Sequence, residues 1–135
     1  YYLGKKIRYS GWQNDFPLRL FNRNYGKFNH KVVHESIKVN GKVEIIMEPI
    51  NHYSFPDLET HLQKMIRYSE LTARQKMEKG EKIAFGLIPV KALSKFIKMY
   101  ILQLGFLDGK FGLILALNSS YGVYLKYSKL WLNQK

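Results

Sequence analysis

Cysteine is absent from the 135 residues, which excludes a disulfide scaffold and a thiolate zinc site and is consistent with a reducing compartment. Aspartate is nearly absent too: Asp15, Asp57 and Asp108 are the whole supply, and they stand far apart. The chain therefore has no Asp-x-Asp and no paired carboxylates at helical spacing, and it also lacks a glycine-rich phosphate loop. No Ser-His-Asp or Cys-His arrangement can be assembled from it. Nor is there a long apolar span. Phe111–Leu125 runs fifteen residues without a charge, short of the roughly 20 that a membrane-crossing helix needs, and Asn118-Ser119-Ser120 interrupts it. An initiator methionine is missing as well. The opening Tyr1-Tyr2-Leu3-Gly4 reads as the middle of something longer, and a fragment is expected.

What is present is positive charge and aromatic surface. Hydrophobic residues at 46% and aromatics at 15% place the chain among folded rather than disordered sequences, with length for one domain and a modest core. The net charge is +12 and the isoelectric point about 9.8. Such a balance calls for an anionic partner: nucleic acid, nucleotide-sugar phosphate or an acidic membrane surface. The charge is uneven, +5 over residues 1–50, +1 over 51–80 and +6 over 81–135.

Residues 1–30 interleave Tyr, Trp and Phe with Arg and Lys, punctuated by Gly4, Gly11, Pro17 and Gly26. These aromatics either stack on nucleobases or sugars, or anchor a loop-rich surface. Leu18–Phe21 alternates as a short strand. Ile37–Val39 and Val43–Met47 read as two more strands, joined by Asn40-Gly41, the residue pair suited to the two positive-φ positions of a type I′ turn. That hairpin would bring Glu35 and His52 toward the same end of a sheet.

Ser54-Phe55-Pro56-Asp57 reads as a capping box, with Ser54 as N-cap and Asp57 reaching back to the free amide. Leu58, Leu62, Met65, Ile66, Ser69 and Ala73 then share one helical face, and Gly80 supplies the stop. His61 reads as a solvated helix residue rather than a ligand. Pro89 opens a second helix in which Lys91, Lys95 and Lys98 share one face. Val90, Leu93, Phe96, Ile97, Tyr100, Ile101 and Leu104 form the other. Gly105-Phe106-Leu107-Asp108-Gly109 breaks it before a third helical stretch. This basic, amphipathic pair, edged by Tyr and Trp, either packs on an ordinary core or lies in a membrane interface; the second reading is favoured.

Chemistry concentrates in 33–54. His34 and Glu35 are neighbours, so on an extended chain only one of them faces a given pocket. Glu35 is either a general base in a half-buried cleft or a surface carboxylate. His52 is either a ligand or a structural histidine. His30 and His34 do not share a helix face, which argues against a two-histidine metal site.

Several stretches in order resemble the C-terminal part of a bacterial family 2 glycosyltransferase of the GT-A type, similar to lipopolysaccharide-core beta-glucosyltransferases. They are Tyr2-Leu3-Gly4-Lys5, Ser10-Gly11-Trp12, Leu18-Arg19-Leu20-Phe21, Val33-His34-Glu35, His52-Tyr53-Ser54, Lys98-Met99-Tyr100-Ile101, Gly105–Gly109 and Lys126-Tyr127-Ser128-Lys129-Leu130-Trp131. The resemblance covers nearly the whole chain.

It implies an α+β fold, the C-terminal portion of a Rossmann-like GT-A enzyme: a short mixed sheet with a hairpin, then three amphipathic helices. It also implies a division into an acceptor-side and catalytic region at 1–54, a capped helix at 55–80 and a basic membrane-facing tail at 81–135. Glu35 stands where the family's x-Glu-Asp motif supplies the base. The sequence departs from that motif in having Glu for Asp, and His34 for the preceding Glu.

By the same resemblance His52 would be a metal ligand, and Gly11, Trp12, Asp15, Arg19, His34 and Tyr53 would line the donor and acceptor sites. The reaction implied is inverting transfer from a nucleotide-sugar, with UDP-hexose as the expected donor, to a lipopolysaccharide-core or other glycan or glycolipid acceptor. A divalent metal, Mg²⁺ or Mn²⁺, would depend on upstream ligands that this chain lacks, so these residues alone are expected to be inactive. The expected location is cytoplasmic, peripheral on the inner face of the bacterial membrane, with an anionic membrane surface as partner. Two other classes stay open: a small basic nucleic-acid-binding module, although no nucleic-acid signature is present and nucleic acid is not the expected partner, and a structural membrane-surface protein.

Overall fold

The computed structural model describes residues 1–12, 16–29, 36–48 and 50–134. Its first regular element is a small sheet. Ile37-Lys38-Val39 forms a strand, as its β-branched alternation predicts, but its partner lies upstream. Strand β1 (Gly26–Phe28) pairs antiparallel with β2 (Ile37–Val39), setting Gly26 opposite Val39 and Phe28 opposite Ile37. The pair is closed at one end by Asn40 N–H to the Tyr25 carbonyl, 2.8 Å, and at the other by Asn29 N–H to the Ser36 carbonyl, 2.8 Å.

The expected hairpin through Asn40-Gly41 is therefore corrected. Gly41 has φ of 150° but Asn40 is not in the positive-φ region, so the two-residue type I′ turn does not form. Val43–Met47 forms no strand and stays exposed, Ile46 at 67% and Met47 at 76%. Leu18–Phe21 forms no strand either. The Phe21 ring instead lies over Gly26, where an added Cβ would come within 2.5 Å of it. A mixed sheet was expected; the described residues hold a two-stranded antiparallel one, and no helix packs against it.

The chain's first segment docks on the helices. Tyr2 forms a parallel bridge with Phe55, and Leu3 N–H donates to the Phe55 carbonyl at 2.9 Å. That pairing holds Ser54–Pro56 outside the helix and moves the cap. Asp57, not Ser54, is the N-cap of α1 (Leu58–Glu78), accepting from Thr60 N–H at 2.6 Å. The new amide bond holds the Asp57 carboxyl below its ordinary range. At the far end Gly80, at φ of 70°, donates to the Met77 carbonyl and Glu81 N–H to that of Lys76. This is the double bond of a glycine-terminated helix, as the sequence indicates.

Along α1 the buried residues are His61, Met65, Ser69 and Ala73, a straight stripe of four-residue steps. Leu58 and Ile66 belong to the exposed side. Helix α2 (Leu87–Ile97) carries Pro89 inside its first turn, where the missing amide costs nothing. It runs into a π-helical turn at Lys98–Leu102, then bends through a 3₁₀ turn, Gly105–Asp108, into α3 (Gly109–Asn133). Helix α3 packs against both α1 and α2.

Two features fix the bend. Gly105 and Gly112 meet so closely that a Cβ on Gly112 would lie 1.9 Å from the Gly105 carbonyl oxygen. The Asp108 carboxylate accepts from the Arg8 and Tyr9 amides, each at 3.0 Å, and from the Ser10 hydroxyl at 3.2 Å. The polar run that breaks the apolar stretch is used between elements: Asn118 reaches Tyr2 and Ser120 donates to the Ala92 carbonyl at 2.7 Å. One core cluster joins Tyr2, Met99, Leu115 and Ala116; a second joins Ile83, Ile88 and Leu130. Each of the Met, Leu and Ile side chains among them, when fully buried, contributes about 1.5–3 kcal/mol.

Candidate functional site

Tyr2 is the centre of the molecule's densest aromatic and polar cluster. It is wholly buried, edge-on to Trp12 and Phe55 with ring centroids 6.1 Å away in each case. Its hydroxyl bonds His61 Nδ1 at 3.0 Å and accepts from Asn118 Nδ2 at 3.1 Å. With the oxygen already accepting from Asn118, the hydroxyl proton is free for the histidine, which is satisfied as the neutral Nε2–H tautomer. Burial lowers the His61 pKa and raises that of Tyr2, the latter opposed by the Asn118 bond. The expectation that His61 is solvated is thus corrected. Nothing in its neighbours along the helix marks it, because its partners come from positions 2 and 55.

The outer edge of this cluster carries several of the residues that the sequence singles out. Gly11 has φ of 81°, and a Cβ there would meet the Gln103 side-chain amide at 2.4 Å, while Ser10 N–H donates to the Gln103 carbonyl. Trp12 follows at once, half-buried against Tyr2 and Phe55. Tyr53 is exposed and stacked on Tyr1, centroids 4.6 Å apart and planes at 16°. His52 is exposed; its carbonyl accepts from the Tyr1 backbone nitrogen and its Nδ1 lies 3.3 Å from the Ser54 hydroxyl. Trp12, with Gly11 before it, lies against Tyr2 and Phe55, while Tyr53 and His52 lie against Tyr1; the pairing of the first segment with 53–55 carries both groups. Lys64 adds a cation 5.2 Å above the Phe55 ring.

Arg19 is part of neither group. It is exposed in the loop before β1, beside a half-open cleft of about 280 Å³ lined by Leu18, Leu20, Tyr25, Val39, Asn40 and Lys42 among others. Asp15, His34 and Glu35 lie outside the described residues, so the proposed base and its neighbour have no structural placement. Among the described residues no group of three or more His, Cys, Asp or Glu side chains could hold a metal ion. His52 therefore belongs to no such group there, and hard divalent cations want several oxygen ligands. No metal-dependent step is derived from these residues.

A second electrostatic feature sits over α3. Lys126 and Lys95 are held below the ordinary lysine range, first by burial and then by neighbouring lysines, Lys76, Lys95 and Lys91 around Lys126 and Lys98 beside Lys95. Lys126 lies 4.5 Å and Lys76 5.7 Å from the Tyr127 ring centroid. Glu81, paired with Lys76 at 2.5 Å, is drawn into the same group and its pKa falls accordingly.

Against known proteins the chain shows distant similarity. It is 24% identical over 121 residues to an uncharacterized glycosyltransferase of Rickettsia conorii, and equally to one of Rickettsia felis, in alignments covering 83% of this chain and 43% of each relative. The chain thus spans less than half the length of the curated relatives it matches. No protein-family model matches it. No solved structure matches it either. What the comparisons establish is a distant similarity to glycosyltransferases, with donor and acceptor unspecified.

Proposed function

We propose that this chain is the acceptor-side part of an inverting family 2 glycosyltransferase of the GT-A type, moving a hexose from a UDP-sugar to a lipopolysaccharide-core or other glycan or glycolipid acceptor. The observation that carries the reading is the similarity to two glycosyltransferases along 83% of the chain. Exposed Tyr53, beside His52 in the chain, and half-buried Trp12 offer flat apolar faces of the kind that pack against sugar rings.

In this reading Glu35 takes the proton of the acceptor hydroxyl as that oxygen attacks the anomeric carbon, and the nucleoside diphosphate leaves from the opposite face. Gly11, Trp12, Asp15, Arg19, His34 and Tyr53 hold the substrates. His52 could supply one ligand to Mg²⁺ or Mn²⁺, whose oxygen ligands would have to come from elsewhere.

The test is sugar transfer by the natural protein in its full reading frame, with UDP-hexoses as donors and the host's own glycolipid fraction as acceptor. Glu35→Gln should lower kcat by about 10²–10⁴-fold, the range for loss of a general base, with donor affinity unchanged. Equal transfer by the wild type and Glu35→Gln removes the base from Glu35. No transfer from any UDP-sugar by the wild type would sink the reading as a whole.

A further inference from the structure

The bend between α2 and α3 concentrates exposed apolar side chains that nothing in the described structure covers. Ile101, Leu102, Leu104, Phe106 and Leu107 are all exposed, Leu102 at 73% and Leu107 at 54%, within seven consecutive positions. Val90, Leu93 and Ile97 on α2, and Leu113, Leu117, Tyr121, Tyr124 and Trp131 on α3, are exposed too, in each helix at spacings that share one face. Exposed apolar surface concentrated in this way marks an interaction site.

The geometry is that of a wedge. Among the described residues no single helix is long and apolar enough to cross a membrane, but Leu87–Leu102 and Gly105–Asn133 together pass that test while bent by 71°. The apex is held open by backbone that costs energy: a π-helical turn at Lys98–Leu102 and Leu104 in the left-handed region at φ of 56°. Non-glycine residues seldom adopt that conformation, and π turns often mark functional positions.

Charge decides what the wedge fits. Residues 87–134 carry six lysines, Lys91, Lys95, Lys98, Lys110, Lys126 and Lys129, and a single acid, Asp108. That acid is taken up by the amides of Arg8 and Tyr9 and by the Ser10 hydroxyl. Lys98 and Lys110, both exposed, flank the apex on either side. An apolar tip between two cations, with exposed Tyr121, Tyr124 and Trp131 further along α3, matches the chemistry of a bilayer with anionic headgroups: acyl chains for the leucines, phosphates for the lysines, the boundary for aromatic rings.

We infer that this bend is a membrane-docking wedge, inserting Leu102, Phe106 and Leu107 into the acyl boundary of an anionic bilayer while Lys98 and Lys110 hold headgroup phosphates. A neutral or cationic surface would not reward the lysines. The wedge lies on the membrane rather than through it.

The experiment is co-sedimentation of the chain with vesicles of phosphatidylglycerol and phosphatidylcholine, compared with phosphatidylcholine alone, at low and high salt. Binding should need phosphatidylglycerol. Leu102→Ser with Leu107→Ser should weaken it about a hundredfold, as expected for keeping two leucines from leaving water. Lys98→Glu with Lys110→Glu should weaken it about thirtyfold or more. All four residues are exposed, so unchanged helicity by circular dichroism shows that folding is intact; Leu20→Ser, distant from the bend, should bind as the wild type does.

Absent binding at low salt, or binding that the leucine pair does not affect, overturns the proposal. So does a leucine pair that abolishes self-association while vesicle binding is absent, which would assign the face to a second copy of the chain. No sugar donor enters the experiment, so its outcome is separate from that of the transferase reading.

Discussion

At the scale of single residues, the informative group is His61. It is buried at 6% exposure and stands as a neutral acceptor for the Tyr2 hydroxyl. Its folded pKa lies below the ordinary 6.5 because burial opposes the charged ring. Above that value both folded and unfolded chains hold it neutral, and stability is full. As pH falls below 6.5 the unfolded chain takes up the proton first, so stability drops until the folded pKa is reached. The melting temperature should therefore fall between pH 7.5 and pH 5.5. His61→Gln should flatten that dependence. The lowered carboxyls Asp57, Glu70 and Glu81 act in the more acidic range below their own ordinary values, so they do not produce this window. A melting temperature that falls equally in His61→Gln would remove the assignment.

At the scale of elements, the α2–α3 bend inverts the usual preferences of glycine and leucine. Alanine is the better helix former by about 1 kcal/mol, so Gly112→Ala within α3 would ordinarily stabilise. Here the new Cβ would lie 1.9 Å from the Gly105 carbonyl oxygen, and backbone must shift. Overpacking of this kind costs about 1–3 kcal/mol, and the net effect should be destabilising. Leu104→Gly should do the opposite, because left-handed backbone costs a non-glycine residue about 1–2 kcal/mol and Leu104 sits at φ of 56°. Urea titrations of the two variants should move the midpoint in opposite directions. Movement in the same direction would mean that the bend is not held by this contact.

For the whole molecule, charge is the governing quantity. A net +12 opposes compaction through self-repulsion, and the repulsion is sharpest where Lys76, Lys91, Lys95 and Lys126 gather around α3. Raising sodium chloride from about 20 to 300 mM shortens the screening length severalfold and should raise the melting temperature. A fall with salt would mean that the surface ion pairs Glu70–Lys129, Glu70–Arg74 and Lys76–Glu81 outweigh the repulsion.

How much of this was legible before folding depends on the range of the interaction. The α1 stop at Gly80, the break at Gly105–Gly109 and the helix opened near Pro89 follow from backbone conformations that a few neighbouring residues set, and all can be read locally. The partner of Ile37–Val39, by contrast, was chosen by pairing with Gly26–Phe28, and the favourable Asn40-Gly41 signal lost to it. The cap moved from Ser54 to Asp57 because the backbone at Ser54 and Phe55 is bonded to Tyr1 and Leu3. His61 became a core residue only when Tyr2, its hydroxyl held in turn by Asn118, reached it from a distant position. In α2 and the π-helical turn after it, one apolar surface in the sequence was divided, Phe96 and Tyr100 packing on the core and Val90, Leu93 and Ile97 facing outward. Periodicity tells a chain which side chains avoid water, but only packing against α3 decides which of them succeed.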